Sequence, residues 1–198
     1  MRTSFSWLFI PSLTLSLPFS LSAATENLSS QNSFNGSGTF TPKTLNDSTE
    51  DTLNFLGDVS ISNAGSGTAL SDSCFGQTAG DFTLQGNGFS LSFNSITAQN
   101  SVDGVAISST AATPGKALSL LGFSNLFFTL SPASGGTGKG AVNSTGSALL
   151  QGNKNVIFFK NATTDNGGAL HATGTVTCTN NSSLSFQQNS ATTNGGVF

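Results

Sequence analysis

The stretch that decides the fold is Phe158-Phe159-Lys160-Asn161 followed by Gly167-Gly168-Ala169-Leu170, because the same pattern returns 28 residues later. The second copy is Phe186-Gln187-Gln188-Asn189 followed by Gly195-Gly196-Val197-Phe198. Each copy joins an F-x-x-N motif to a Gly-Gly step that leads into a small or aliphatic residue. A fixed period of about 20 to 50 residues is typical of chains that stack one supersecondary unit on the next. The two copies therefore predict a repeat protein.

Short runs of residues around both motifs have the composition of β-strands. Val156-Ile157-Phe158-Phe159 and Thr175-Val176-Thr177-Cys178-Thr179 are rich in β-branched or aromatic residues, and Asn, Gly and Ser bound them. Such runs favour strands separated by turns. The sequence therefore predicts an all-β, right-handed parallel β-helix, in which each strand pairs with its equivalent one turn away, about 4.8 Å along the axis. An antiparallel sandwich with two similar hairpins is the alternative.

The β-helix prediction assigns a structural role to each residue of the repeat motif. Phe158 should lie over Phe186 inside the coil, and Asn161 over Asn189 at a turn. A ladder of Asn side chains satisfies amides and backbone groups together, while Gly-Gly supplies a left-handed corner that other residues resist. The predicted structural positions are Phe158, Asn161, Gly167, Gly168, Ala169, Phe186, Asn189, Gly195, Gly196 and Val197.

Related sequence segments upstream of Phe158 extend the repeat. Phe89, Leu91 and Phe93 alternate with polar residues, so all three should point into the core. The phrase recurs with steps of 34, 31 and 28 residues, which predicts insertions in the upstream coils. At this period residues 57–198 correspond to about five coils. The aromatic residues that end the phrases are Phe93, Phe127, Phe158 and Phe186.

The N-terminus has the pattern of a Sec signal peptide. Arg2 gives a positive start, Trp7 to Leu17 is a short apolar segment, and Ser22-Ala23-Ala24 supplies small residues for a cleavage after Ala24. The apolar segment is too short and too interrupted to span a membrane, and no second apolar stretch approaches that length. We expect three segments: a signal peptide over residues 1–24, a polar linker or N-terminal cap over residues 25–56, and β-helix repeats over residues 57–198.

The charge balance argues against polyanionic partners. Charged residues make up only 8% of the chain, whereas 17 Phe residues supply material for a core. Removal of the signal peptide removes Arg2, the only arginine, and leaves five Lys against nine Asp or Glu, a net charge of −4. Nucleic acids and anionic membrane surfaces attract clustered basic side chains. We therefore expect neither as a partner.

The pairing of F-x-x-N with G-G-A-[hydrophobic] resembles the repeat signature of the chlamydial polymorphic outer membrane proteins. The resemblance covers about residues 53–198 and is most specific from Ser147 onward. It implies a surface-exposed autotransporter passenger at the outer membrane, in which a β-helix stalk takes part in adhesion to host cells. The partners that it implies are a host-cell surface receptor or other envelope proteins.

The sequence also departs from that family pattern. Family members continue for many more repeats and end in a β-barrel that anchors the passenger, whereas this sequence stops inside a repeat without the alternating strands of a barrel. We therefore expect a truncated or frame-shifted member, which stays in the periplasm if no barrel is supplied. An inert exported remnant is the alternative function. An uncapped last coil would leave an unpaired strand edge, which predicts edge-to-edge self-association.

The two cysteines leave two possibilities open. Cys74 and Cys178 lie far apart in the sequence, and neither belongs to a C-x-x-C motif. In an exported protein they could form one disulfide or bridge to neighbouring molecules. The alternative is a pair of half-buried thiols at inward strand positions.

No constellation of catalytic residues is apparent. A β-helix enzyme acting on polysaccharides is the second alternative function, and it needs placed carboxylates. The single His171 follows the Gly-Gly corner, where it is expected to be a surface or turn histidine. We predict no catalytic residue, no metal site and no cofactor. The acidic residues are scattered singly along the predicted coils, as at Asp72, Asp81, Asp103 and Asp165.

Overall fold

A computed structural model describes residues 25–28, 34–35, 43–45, 51–62, 73–78, 80–96, 104–110, 117–129, 139–163 and 165–197. The predicted signal peptide and its cleavage site at Ala24 lie outside these residues. The strands in chain order are β1 (Thr25–Leu28), β2 (Phe34–Asn35), β3 (Lys43–Leu45), β4 (Asp51–Phe55), β5 (Val59–Ser62), β6 (Phe75–Gln77), β7 (Phe82–Gln85), β8 (Ser90–Asn94), β9 (Ile107–Ser109), β10 (Leu118–Leu121), β11 (Asn125–Thr129), β12 (Val142–Ser144), β13 (Ala148–Gln151), β14 (Asn155–Phe159), β15 (Ala162–Thr163), β16 (Leu170–Ala172), β17 (Val176–Thr179), β18 (Ser183–Gln187) and β19 (Ser190–Ala191).

The strands form three long parallel sheets that wind into one coil. Sheet A has the order β1-β4-β7-β10-β13-β17, sheet B has the order β18-β14-β11-β8-β5-β2, and sheet C has the order β16-β12-β9-β6-β3. Each strand pairs in parallel with its equivalent one turn away, and β15 and β19 form a fourth, two-stranded sheet. The predicted all-β solenoid of stacked parallel strands is confirmed, and the sandwich alternative is wrong.

The core is the inside of the coil, where side chains stack on their equivalents. Phe158 pairs with Phe186 in register, and their rings are stacked with centroids 5.0 Å apart. The stack continues to Phe128 at 4.4 Å from Phe158 and to Phe93 at 5.3 Å from Phe128. Sheet B has six rungs, and the five from β5 to β18 span about four turns.

The predicted register of one coil is wrong by a single residue. Phe128, and not Phe127, pairs with Phe93 and Phe158. Because side chains of a strand alternate between faces, a shift of one residue moves the whole set to the other face. Leu126 and Phe128 are therefore buried, while Phe127 points outward and is half-buried.

Two further expectations need correction. Phe89 lies in the turn before β8 and is 36% exposed, because the inward alternation begins only at Leu91. Within residues 25–56, the described strands β1, β2 and β3 each add a rung to one of the three sheets and β4 pairs with both β1 and β7, so the linker alternative is wrong for these strands, whereas the N-terminal cap stays a prediction. The coil thus begins earlier in the sequence than the polar composition of this segment suggested.

The described part of the chain contains strands and turns and no helix. It accordingly includes no helix of the length and apolar character that a membrane crossing requires.

Candidate functional site

The Asn residues of the repeat motif form a ladder at one corner of the coil. The Asn161 side chain donates through Nδ2 to the Phe128 carbonyl and to Asn189 Oδ1, both at 2.9 Å, and its backbone N–H donates to the same Oδ1 at 3.0 Å. Asn189 repeats the pattern by donating through Nδ2 to the Phe158 carbonyl at 2.9 Å. Asn161 is fully buried. Each amide thus joins two coils at a point where the strands turn and the backbone ladder is interrupted.

A second Asn ladder with the same geometry runs along the neighbouring corner between sheets A and B. Asn153 donates through Nδ2 to the Leu120 carbonyl at 3.1 Å and to Asn181 Oδ1 at 2.9 Å. Asn181 in turn donates to the Leu150 carbonyl at 2.8 Å. Sequence reasoning missed this ladder, although Asn153 and Asn181 are separated by the same 28 residues as the repeat motifs.

The Gly-Gly steps form a third corner. Gly167 and Gly195 have φ angles of 65° and 60°, in the left-handed region that favours glycine. A Cβ on Gly168 would lie 2.3 Å from the Ser190 carbonyl oxygen, so the second glycine admits the next coil to close contact. Of the two residues that follow these steps, Ala169 is fully buried, and Val197 accepts a backbone hydrogen bond from Leu170 at 3.0 Å.

The two cysteines are free thiols in different parts of the coil. Cys74 precedes β6 and is fully buried, whereas Cys178 lies in β17 and is exposed. Cys178 lies just over three turns beyond Cys74, or about 16 Å along the axis, and a disulfide needs Cα atoms within about 7 Å. The possible disulfide between Cys74 and Cys178 is therefore incompatible with this fold. Burial raises the pKa of both thiols, and that of Cys74 far more.

His171 lies in sheet C beside a buried amide. It pairs in register with Asn143, and its Nδ1 is 3.0 Å from Asn143 Oδ1. Asn143 is fully buried, and its Nδ2 has no hydrogen-bond partner. The histidine is half-buried, so it is neither a fully exposed surface residue nor part of the core.

The described residues bring few acidic groups together. Asp51 and Gln77 are both fully buried, and Gln77 Nε2 donates to Asp51 Oδ2 at 2.7 Å. Asp81 accepts a hydrogen bond from the Ala117 backbone N–H at 2.7 Å. Across these residues no three His, Cys, Asp or Glu side chains are grouped so that they could hold a metal ion. The predicted acidic positions Asp72 and Asp103 lie outside the described residues.

Among the described strands, those of sheets A and B present outer faces that are accessible to other molecules. Most outward positions on them are Ser, Thr, Asn or Gln, and these are half-buried or exposed. Asn side chains form ladders here too, with Asn155 Nδ2 donating to Asn125 Oδ1 at 3.0 Å and Asn125 Nδ2 donating to Ser90 Oγ at 2.9 Å. The outer face of sheet C differs, because Ser108 and Asn143 on it are buried.

The chain is similar to several proteins of Chlamydia pneumoniae. It is 40% identical over 161 residues to probable outer membrane protein pmp8, 38% identical over 177 residues to probable outer membrane protein pmp10, and 41% identical over 172 residues to probable outer membrane protein pmp11. These matches cover 78%, 84% and 84% of this chain, respectively. No protein-family profile and no solved structure matches the chain.

The chain spans less than a fifth of the length of these relatives, since the matches cover 17% to 18% of them. The matched region nevertheless covers more than three quarters of this chain, in which the F-x-x-N motifs stack in register. The resemblance first indicated by the two 28-residue repeats is thereby confirmed. The chain belongs to the chlamydial polymorphic outer membrane protein family.

Proposed function

We propose that this chain forms part of a surface-exposed autotransporter passenger and acts as an adhesin-like binding module without enzymatic activity. The observation that carries the proposal is its similarity to proteins named probable outer membrane proteins, combined with a coil built entirely from stacked strands. A rigid coil holds its outward side chains at fixed spacing, so that many weak polar contacts can act together. The exposed Ser, Thr, Asn and Gln side chains of sheets A and B supply such contacts.

A binding experiment tests this function directly. Residues 25–198 are refolded, labelled and added to cultured epithelial cells over a range of concentrations. We expect saturable binding that unlabelled protein displaces. The control is an unrelated β-solenoid of similar size and charge. Binding that does not saturate, or that equals the control, would contradict the adhesin proposal.

The route of export is part of the same proposal. We propose that residues 1–24 direct Sec export and are removed after Ala24, which leads to an outer-membrane or cell-surface location. Expression of the full chain in a bacterial host should give a mature protein whose first residue is Thr25, as read by N-terminal sequencing. Retention of Met1 in the exported fraction would contradict the cleavage. A host-cell receptor or another envelope protein is then the expected partner.

Edge-to-edge self-association is a second candidate behaviour. Strand β18 has a neighbour on one side only, and Leu184 is 36% exposed although its register partner Val156 is fully buried. An unpaired strand edge with an apolar inner face can recruit another chain. Sedimentation velocity at increasing protein concentration should then show larger species, whereas a single monomeric species throughout would exclude this behaviour.

A further inference from the structure

The outer face of sheet B carries an apolar cluster that the fold does not require. Phe127, Ile157 and Phe159 point outward and are half-buried. Phe127 pairs directly with Ile157, and Phe159 is the next outward residue along β14. We name these three residues the sheet-B cluster. They lie on two adjacent rungs, so their side chains form one contiguous surface.

The strand register of sheet B shows that polar residues occupy the equivalent positions on neighbouring rungs. Phe127 and Ile157 stand in a row whose other members are Ser60, Ser92 and Ser185. Phe159 pairs with Thr129 on one side and Gln187 on the other. Since the coil accommodates hydroxyl and amide side chains at these points, packing does not explain the apolar residues. A contiguous apolar surface on an otherwise polar face is a candidate interaction site.

The surroundings of the sheet-B cluster are polar and almost uncharged. No Asp, Glu, Lys or Arg occurs in the described strands β5, β8, β11, β14 and β18. Asn125 and Asn155 lie beside the cluster in the hydrogen-bonded ladder that continues to Ser90. Two cations flank β14: Lys154 precedes its first residue, and the Lys160 amine is 5.0 Å from the centre of the Phe159 ring. The Lys160 contact lies at the Phe159 end of the cluster.

We propose that the sheet-B cluster is a binding site for an uncharged glycan; this rests on the adhesin function proposed above. A sugar ring presents C–H groups on its faces and hydroxyl groups around its edge. The apolar side chains would receive a ring face, and the flanking amides and hydroxyls would bind the hydroxyl groups. Rungs about 4.8 Å apart repeat these polar groups along the axis, which suits a ligand made of repeated units.

The same observations argue against other occupants. A sulfated or otherwise anionic polysaccharide needs several basic side chains, whereas β14 is bordered only by Lys154 before its first residue and Lys160 after its last. A lipid surface needs either a basic cluster or a larger apolar area than three side chains provide. Protein interfaces draw much of their affinity from Trp, Tyr and Arg, none of which occurs in the strands of this face.

The test replaces each apolar residue with the residue type found at an equivalent position on another rung. In one variant, Phe127→Ser and Ile157→Ser restore the serine of the same row, and Phe159→Thr copies Thr129 of the adjacent rung. The matched control is Leu149→Thr on the outer face of sheet A, where the neighbouring rung has Thr177. Both proteins should keep the circular dichroism and melting temperature of the parent chain, because all substituted side chains lie outside the core.

Binding is measured by surface plasmon resonance with four probes: galactose-terminated, N-acetylglucosamine-terminated and mannose-terminated neutral oligosaccharides, and a heparin fragment. Phosphatidylcholine–phosphatidylserine vesicles form a fifth arm. We expect the parent chain and the sheet A control to bind at least one neutral oligosaccharide. The sheet-B variant should lose at least about tenfold in affinity for it.

The outcomes separate this inference from the adhesin function. Binding to heparin or vesicles alone, equal glycan binding by the sheet-B variant, or absence of glycan binding would each overturn the glycan site. If the chain still binds cultured cells in those cases, the adhesin function survives and only the site is wrong. If the chain binds neither glycans nor cells, both proposals fail.

Discussion

Asn161 illustrates how single amides hold successive coils together. Its side chain contacts the carbonyl of Phe128 in the preceding coil and the amide of Asn189 in the following one. Both partners lie at a corner, where strand-to-strand hydrogen bonding is interrupted. Removing the Asn161 side chain leaves a carbonyl group without its donor in a buried setting, and this is more costly than losing an exposed hydrogen bond.

We therefore expect Asn161→Ala to lower the free energy of unfolding by about 2 kcal/mol. The matched control is Asn155→Ala, which also removes an inter-coil amide bond, here to Asn125 on the exposed outer face. That change should cost less than about 0.5 kcal/mol. Urea denaturation followed by circular dichroism measures both. Equal losses for the two variants would contradict a special role of the corner ladder.

The cysteines make a prediction about pH. Burial raises the pKa of the Cys74 thiol, so the folded protein keeps this proton at pH values where the unfolded chain releases it. The unfolded thiol ionises near pH 8.5. Below that pH both states keep the Cys74 proton, so the thiol does not lower the free energy of unfolding. Above it the unfolded chain loses the proton first, and the free energy of unfolding falls by at most about 1.4 kcal/mol per pH unit.

The test compares the parent chain with Cys74→Ala, each unfolded by urea at pH values from 7 to 10. The parent should lose stability more steeply than Cys74→Ala above about pH 8.5, and Cys178→Ala should keep this steep loss because it retains the fully buried Cys74. Native protein should expose one thiol to Ellman's reagent, and unfolded protein two. Two reactive thiols in the folded chain would contradict the burial of Cys74.

At the scale of the element, strand register decides which residues are core and which are surface. The sequence pattern identified β14 and β18 correctly, because their copies of the motif are separated by identical spacing. It failed at β11, where Phe127 and Phe128 are adjacent and composition does not say which one faces inward. The Phe93–Phe128 stack resolves this, and such cross-coil packing is a tertiary property.

The Gly corners are a second feature of the elements, and they give a matched pair of substitutions. Gly167 and Gly152 have similar φ angles of 65° and 69°. A Cβ on Gly167 would lie 2.6 Å from the Leu170 carbonyl oxygen, whereas one on Gly152 would meet nothing within 4 Å. Gly152→Ala should therefore lower the free energy of unfolding only by the cost of holding alanine in the left-handed conformation, about 1 to 2 kcal/mol.

Gly167→Ala should lower the free energy of unfolding more than Gly152→Ala does. Both substitutions place alanine in the left-handed conformation, but only at Gly167 does the added Cβ also overlap a backbone atom. The difference should appear as a lower urea midpoint, with an unchanged dependence of the unfolding free energy on urea concentration. A Gly152→Ala variant that is less stable than Gly167→Ala would contradict the close packing assigned to the Gly-Gly corner.

At the scale of the whole molecule, the chain is a linear array in which each coil contacts its neighbours. Stability in such arrays is approximately a sum of coil and interface contributions. The 28-residue repeat was sufficient to predict this architecture. The polar N-terminal segment was harder to predict, because β1, β2 and β3 obtain their pairing from β4, β5 and β6 and have little strand signal of their own.

The outer surface was the least predictable part of the molecule. Phe127, Ile157 and Phe159 can be recognised as an unusual apolar group only once the strand register shows that polar residues occupy the equivalent positions on other rungs. Likewise, the ladder through Asn153 and Asn181 depends on a corner geometry that composition alone does not specify. The fold could thus be inferred from spacing, whereas the candidate binding face required the three-dimensional arrangement of the coils.

One measurement tests the central claim of in-register stacking most directly: disulfide cross-linking in a Cys74→Ala, Cys178→Ala background. Asn155→Cys with Ser183→Cys places thiols on adjacent rungs, about 4.8 Å apart, within the reach of a disulfide. Asn155→Cys with Ser90→Cys places them two rungs apart, about 10 Å, beyond that reach. The stacked coil predicts rapid cross-linking of the first pair and none of the second in the folded monomer. Cross-linking of the second pair, or of neither pair, would contradict it.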